Sequence, residues 1–287
     1  MYYLLLTLLY PVSLLPLRML YGLSNFAFRI IHDLMGYRKE VVRDNMQHAF
    51  PEKSAEEIEA IMKRFYKGFC DQWIETLKLL SMSRRQLKRR TSCNWDELEK
   101  LNAEGRNGYI LTGHIFNWEW ANAAIALHAP QHYACVYLPL SSKGFDRLMR
   151  RIRTRTGARM ISMKALKGGF KELQGGPYLL SLAADQNPAV VETAEWISFM
   201  HREAPFFRGP DQMPRRAKAA VLLGGIRRVK RGHYEFSLKR VADDASTMEA
   251  GVILREYVRN LERQLETQPD NYLWSHRRWK HKRKVNF

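Results

Sequence analysis

Residues Gly108–Trp120 read GYILTGHIFNWEW. Tyr109, Ile110 and Leu111 make a short apolar run, Thr112-Gly113 a turn, and His114 then leads an aromatic stretch holding Glu119. The pattern predicts a buried strand, a glycine turn and a helix start. In open α/β folds the carboxyl ends of strands carry the chemistry, and this junction presents His114 there. His114 and Glu119 are five residues apart, a rotation of about 500° on a helix, so on one continuous helix they face different ways. They meet only if His114 precedes the first turn and Glu119 reaches back. A neutral imidazole is the usual general base near pH 7, and a carboxylate on its other nitrogen fixes the tautomer. A structural histidine capping the helix is the competing reading.

Outward from this stretch, short apolar runs alternate with helical segments from residue 95 onward, the pattern of an α/β sheet. Strands are expected at Tyr109–Thr112, Tyr133–Leu138, Arg159–Ser162, Tyr178–Ala183, Trp196–Met200, Ala219–Leu223 and Tyr234–Lys239. Helices are expected at Trp118–Leu127, Lys143–Thr156, Leu166–Gln174, Asp211–Lys218 and Ser246–Glu266. Upstream, Ser54-Ala-Glu-Glu57 has capping-box spacing. Behind it Ile58, Ile61, Met62, Phe65, Phe69, Trp73, Ile74, Leu77 and Leu80 recur at three and four, which predicts a long amphipathic helix. There is no internal repeat, low-complexity linker or domain break.

The chain has 287 residues, with 47 Lys and Arg against 29 Asp and Glu, a net charge of +18. That balance implies acidic partners: nucleic acid, anionic lipid or an acidic protein. Cys70, Cys93 and Cys135 fit no zinc or disulfide spacing and read as reduced thiols facing the cytosol. Met1–Leu17 carries no charged side chain and is broken by Pro11 and Pro16. As a helix it would span about 26 Å, short of a hydrocarbon core of about 30 Å. Apolar character resumes from Met19 to Ile31, so the segment is expected to cross obliquely or lie partly embedded. No basic region precedes it and no cleavage site follows, which argues against a signal peptide. The cations that follow, Arg18, Arg29, Arg38, Lys39 and Arg43, place the body on the cytoplasmic side by the positive-inside rule. A buried core helix is the alternative.

Four further clusters stand out. Arg147, Arg150, Arg151, Arg153 and Arg155 run into Gly157, and at helical spacing Arg147, Arg150 or Arg151, and Arg155 share a face. Arginine suits bidentate phosphate binding, although a basic solvent face gives the same pattern. Asp185, Gln186 and Asn187 follow an apolar strand directly, placed either to hold substrate hydroxyls or an arginine or to make an Asx turn. Ser83–Arg90 holds five cations in eight residues, a solvated face or a lipid-headgroup contact. The basic run Arg277–Lys284, with Trp279 inside it, suggests electrostatic docking. No serine elbow, phosphate-cradling glycine loop or dinucleotide fingerprint is present, so no nucleotide cofactor is indicated. The His114–Glu119 spacing does not suit zinc, so no metal is expected either.

Gly113–Trp120, GHIFNWEW, resembles the H-x-x-x-x-[DE] motif of the lysophospholipid acyltransferase superfamily. It is similar to the G-H-x-G-N-W-E form of the late acyltransferases of lipid A biosynthesis, the lauroyl and myristoyl transferases. The likeness covers nearly the whole chain. It takes in the N-terminal apolar segment, the arginine-rich stretch ending Arg155-Thr-Gly157, Ala184-Asp185-Gln186, Pro205-Phe-Phe-Arg-Gly209 and Tyr272-Leu-Trp-Ser-His-Arg-Arg-Trp279. One departure is Phe116, where the family has Gly.

The resemblance implies an α/β fold with a mixed central sheet flanked by helices, glycerolipid acyltransferase-like, with an N-terminal membrane-anchoring helix. Residues 1–35 would be the anchor and 36–287 the catalytic domain. His114 would take the proton of an acceptor hydroxyl as it attacks a thioester, and Glu119 would orient His114. Backbone N–H groups at the next helix N-terminus would stabilise the oxyanion. Arg147, Arg150, Arg153 and Arg155 would hold acceptor phosphate, Asp185 and Gln186 would shape the acceptor site, and Asn117 and Phe116 would shape the pocket beside His114. The implied donor is acyl-acyl carrier protein and the acceptor a lipid A precursor at the cytoplasmic face of a bacterial inner membrane, with no nucleic acid, cofactor or metal. Another lipid acceptor, such as a lysophospholipid or aminolipid, is a second reading. A non-catalytic protein gripping anionic membranes is a third.

Overall fold

The computed structural model describes residues 1–283 except Glu172 and Gln174. The chain opens with α1 (Tyr2–Leu14) and α2 (Leu17–Phe28), the latter running into a π-helical turn at Arg29–Leu34. After α3 (Lys39–Ala49) comes α4 (Ala55–Lys78), the long amphipathic helix, whose Ser54 and Glu57 form the expected capping box. Then follow α5 (Arg84–Lys88), β1 (Thr91–Ser92), α6 (Asp96–Ala103), β2 (Gly108–Thr112), α7 (Trp118–His128), β3 (His132–Tyr137), α8 (Lys143–Thr154) and β4 (Arg159–Ser162). The second half holds α9 (Leu166–Lys171), β5 (Tyr178–Ala183), β6 (Glu195–Phe199), β7 (Arg202–Phe206), α10 (Gly209–Arg216), β8 (Ala220–Lys230), β9 (His233–Ala242) and α11 (Val252–Thr267). Of the expected helix Leu166–Gln174, the terminal Gln174 lies outside the described residues, as does Lys284 of the basic tail.

Seven strands form one sheet in the order β1-β9-β8-β2-β5-β3-β4, with β6 and β7 a separate hairpin. The sheet is mixed: β2 runs parallel to both β5 and β8, while β8 and β9 are antiparallel. Both faces of its centre are buried, and side chains divide between them at period two. Tyr109, Leu111, Leu180, Leu182, Val221 and Leu223 join the larger core, and Ile110, Leu179, Ala220 and Leu222 the smaller one. Each of the Val, Leu and Ile side chains contributes about 1.5–3 kcal/mol on burial, enough to fix the register.

The N-terminal segment is not one long helix. The helix continues through Pro11 and breaks at Leu15-Pro16, and α1 meets the second helical stretch, Leu17–Leu34, at 118°. No single helix among the described residues is long and apolar enough to cross a membrane. The bent pair packs on α4 and α8 and leaves Tyr3, Leu4, Leu8, Leu14, Met19 and Phe26 exposed.

Candidate active site

The parallel register of β2 and β5 builds the site. Thr112 lies opposite Ala183, and beyond the last ladder rung the Ala184 N–H still donates to the Thr112 carbonyl at 3.2 Å. Two residues past each strand end stand His114 and Asp185, side by side at the carboxyl edge of the sheet. His114 Nδ1 lies 2.7 Å from Asp185 Oδ1. Asp185 is 1% exposed and the His114 side chain 22%. Gly113 allows this approach, because a Cβ there would sit 2.7 Å from a Leu261 methyl and 3.4 Å from the Asp185 carboxyl carbon.

Burial opposes charge on the imidazole, but the Asp185 carboxylate and its hydrogen bond outweigh it, and the His114 pKa moves up from 6.5. Burial likewise works against the Asp185 carboxylate, and His114 reverses this, holding it below the usual range. With Asp185 ionised, Nδ1 carries the proton and donates it to Oδ1. Nε2 is left with a lone pair, the protonation state of a general base.

The expected pairing of His114 with Glu119 is corrected by this geometry. Glu119, in the first turn of α7, is buried and turned toward α8. Arg153 grips it through Nε at 2.9 Å and Nη2 at 2.6 Å. The Trp118 indole N–H donates to the same carboxylate at 3.0 Å, and the Trp118 ring stands edge-to-face against His114 at 5.1 Å. Glu119 thus bears on His114 through Trp118 and through its charge, while Asp185 makes the hydrogen bond.

The arginine cluster disperses. Arg153 alone reaches the site, as the partner of Glu119. Arg147 lies over the Tyr2 ring at 4.2 Å, holding α1 to α8. Arg155 donates to the Leu79 and Met82 carbonyls just past the end of α4. Arg150 stays exposed. The expectation of four arginines gathered on one phosphate is corrected in its geometry: the four guanidinium groups do not converge, and only Arg153 is drawn inward, by a buried carboxylate. Gln186 is half-buried beside Asp185. Asn117 is fully buried and caps α7, its Oδ1 accepting from the Trp120 N–H at 3.0 Å. Phe116 does not line an open pocket. Its ring is 1% exposed and packs on Phe65 and against Gly68 of α4, where the missing glycine side chain makes room.

The C-terminal segment braces both halves of the pair. Asn271 exchanges hydrogen bonds with Phe116 across an Ile115–Tyr272 bridge. Asn187 reaches the His276 ring at 3.3 Å, donates to the Arg277 carbonyl and accepts from Arg278. Arg278 is 1% exposed and stacks on Phe206 at 4.2 Å. Burial, against the pull of Asp185, pushes the His276 pKa down to about 4, so this second imidazole stays neutral at pH 7. Among the described residues no cluster of side chains suits a metal ion.

A neutral imidazole braced by a buried carboxylate has the chemistry to take a proton from a hydroxyl at the sheet edge. Among solved structures the chain is similar to the crystal structure of the 1-acyl-sn-glycerophosphate (LPA) acyltransferase PlsC from Thermotoga maritima. Identity is 12% and the TM-score 0.39, over 87% of this chain and 96% of that one. No curated protein matches. The family model for bacterial lipid A biosynthesis acyltransferases matches residues 1–281 of the 287. The chain therefore belongs to the bacterial lipid A biosynthesis acyltransferase family and is an acyltransferase.

Proposed function

We propose that this acyltransferase moves a fatty acyl chain from acyl-acyl carrier protein to a hydroxyl of a lipid A precursor, with His114 as general base and Asp185 as its orienting carboxylate. The observation that carries this reading is the 2.7 Å His114–Asp185 bond at the ends of two parallel strands. His114 Nε2 takes the acceptor proton as the hydroxyl oxygen attacks the thioester carbonyl, and the ion pair with Asp185 stabilises the imidazolium so formed. Collapse of the tetrahedral intermediate forms the ester and releases the carrier thiolate, which takes up the proton. First-turn N–H groups of α7 serve the oxyanion. The surplus of positive charge favours encounter with an acidic carrier protein and an anionic bilayer. The α1–α2 hairpin lies in the cytoplasmic face of the membrane with its exposed apolar side chains among the lipids, an arrangement supported by its bend and by that exposure.

The test is a mass spectrum of lipids from a deletion strain complemented with wild type or with His114→Ala. Lipid A lacking one chain only with the variant supports the reading. A chain missing from another lipid instead keeps the mechanism and moves the acceptor. Full restoration by His114→Ala sinks the catalytic assignment.

A further inference from the structure

The catalytic loop and the N-terminal hairpin meet at one buried carboxylate that the reaction itself does not use. Glu75 lies on α4, fully buried. Its Oε1 accepts from the Tyr21 hydroxyl of α2 at 2.7 Å. Its Oε2 accepts from Asn117 Nδ2 at 2.8 Å and from the Tyr234 hydroxyl of β9 at 2.6 Å. The Glu75 backbone carbonyl also accepts from the Trp120 indole N–H at 2.9 Å. Asn117 is the residue that caps α7, three positions past His114, and Trp118 beside it meets the His114 ring edge-to-face. One oxygen of Glu75 is thus tied to the hairpin and the other to the loop that presents the base.

Glu75 belongs to a polar seam that seats the whole hairpin. One turn earlier on α4, Asp71 accepts from Ser24 of α2 at 2.6 Å and is gripped by Arg231. Three residues later, Lys78 Nζ donates to the Ser13 and Leu15 carbonyls at the α1–α2 break. Tyr21 and Ser24 are three apart on α2, and Asp71 and Glu75 four apart on α4, so each pair shares one helix face. An apolar hairpin could slide on greasy contacts alone. Buried hydrogen bonds to carboxylates have one geometry and lose heavily when broken, so they fix its position.

We propose that Glu75 is a positioning residue for acyl transfer, coupling the seating of the α1–α2 hairpin to the placement of the Phe116–Asn117 loop and hence of His114. The inference rests on the functional reading above. A hairpin seated in the bilayer holds Tyr21 on Glu75, Glu75 holds Asn117, and the capped α7 holds Trp118 against the imidazole. A small displacement of a base costs large factors in rate, so slack anywhere in this chain is expected to lower turnover more than binding.

The test uses the full chain with Glu75→Gln and Tyr21→Phe, the second removing one hydroxyl and nothing else. Two readouts are taken: the rate of chain addition to lipid by isotopic pulse-labelling at matched protein level, and the histidine ring signals of ¹⁵N-labelled protein in detergent micelles, with His114→Ala assigning the His114 signal. Turnover is expected to fall about 100-fold for Glu75→Gln and about ten-fold for Tyr21→Phe. The His114 signal should shift in both, and Tyr21→Phe should cost nothing further in the Glu75→Gln background. An unmoved His114 signal, or an unchanged rate at matched protein level, overturns the proposal and leaves Glu75 a packing residue. Failure of the functional reading would show separately, in a lipid profile indifferent to His114→Ala.

Discussion

At the scale of single residues the chemistry turns on which carboxylate touches His114. Asp185 does, and the consequence is a defined pH dependence. In the proposed mechanism the base works as neutral imidazole, so activity is expected to rise with pH through its pKa. That pKa lies above 6.5 because Asp185 outweighs burial. Asp185→Asn removes the largest pull opposing burial and leaves only the smaller, opposed influences of Glu119 and Arg153 beside it. The acidic limb of the rate profile is then expected to move to lower pH. The plateau should fall by about 10²–10⁴-fold, since the tautomer and the imidazolium both lose their support. A profile measured from pH 5 to 9 checks both effects. A limb that stays in place would mean that Asp185 does not set the protonation of His114.

Between elements, the Glu119–Arg153 pair joins α7 to α8 with side chains 4% and 21% exposed. Removing one partner of a buried pair strands the other charge, at about 3–5 kcal/mol, whereas removing both costs far less. Glu119→Gln and Arg153→Met are therefore each expected to lower stability by about that much, and the double variant by clearly less than their sum. Chemical unfolding of the three variants reads this. Additive losses would mean the charges do not meet.

The same scale shows what the sequence disclosed. The capping box at Ser54, the strands at Arg159–Ser162 and Tyr178–Ala183, and the strand–glycine–histidine junction were all legible, because each is written in consecutive residues. Strand β7 was missed: it holds Pro205, and its turn from β6 puts Met200 and His201 at positive φ without glycine or asparagine to announce it. Strand β8 runs on past its apolar run through Gly224-Gly225 to Lys230, and β9 continues past Lys239 to Ala242, extensions with no apolar run to mark them. The short α6, held by Leu98 and Leu101, was also unread. The His114–Asp185 contact depends on the pairing of β2 with β5, 71 positions apart at the two side chains. No local pattern encodes that register. Asp185 was legible as a residue at a strand's end, but not as the partner of His114. Glu75 and Asp71 were legible in principle, as two acids four apart on the apolar face of α4, a placement that is costly without partners.

For the molecule as a whole, the proposed seating of the hairpin in a bilayer raises the question of which force would hold it there. Tyr3, Leu4, Leu8, Leu14, Met19 and Phe26 are between 57% and 68% exposed, a concentration of apolar surface that water alone does not favour. Embedding one such leucine gains about 1.5–3 kcal/mol. The +18 charge adds attraction to anionic lipid of about 1 kcal/mol for each cation that reaches the surface, but this fades beyond a Debye length of about 10 Å at 0.1 M salt. The apolar contribution should therefore dominate and the electrostatic one should assist. In flotation with vesicles of phosphatidylglycerol and phosphatidylethanolamine, raising salt from about 0.1 to about 0.5 M is expected to weaken wild-type binding without abolishing it. Leu4→Glu with Leu8→Glu should lower partitioning by about 100-fold or more at either salt, since two embedded leucines are lost and two negative charges meet an anionic surface. Neither residue takes part in the polar seam on α4, so the hairpin should stay folded on the body. Equal flotation of the variant and the wild type would place the membrane contact elsewhere on the basic surface.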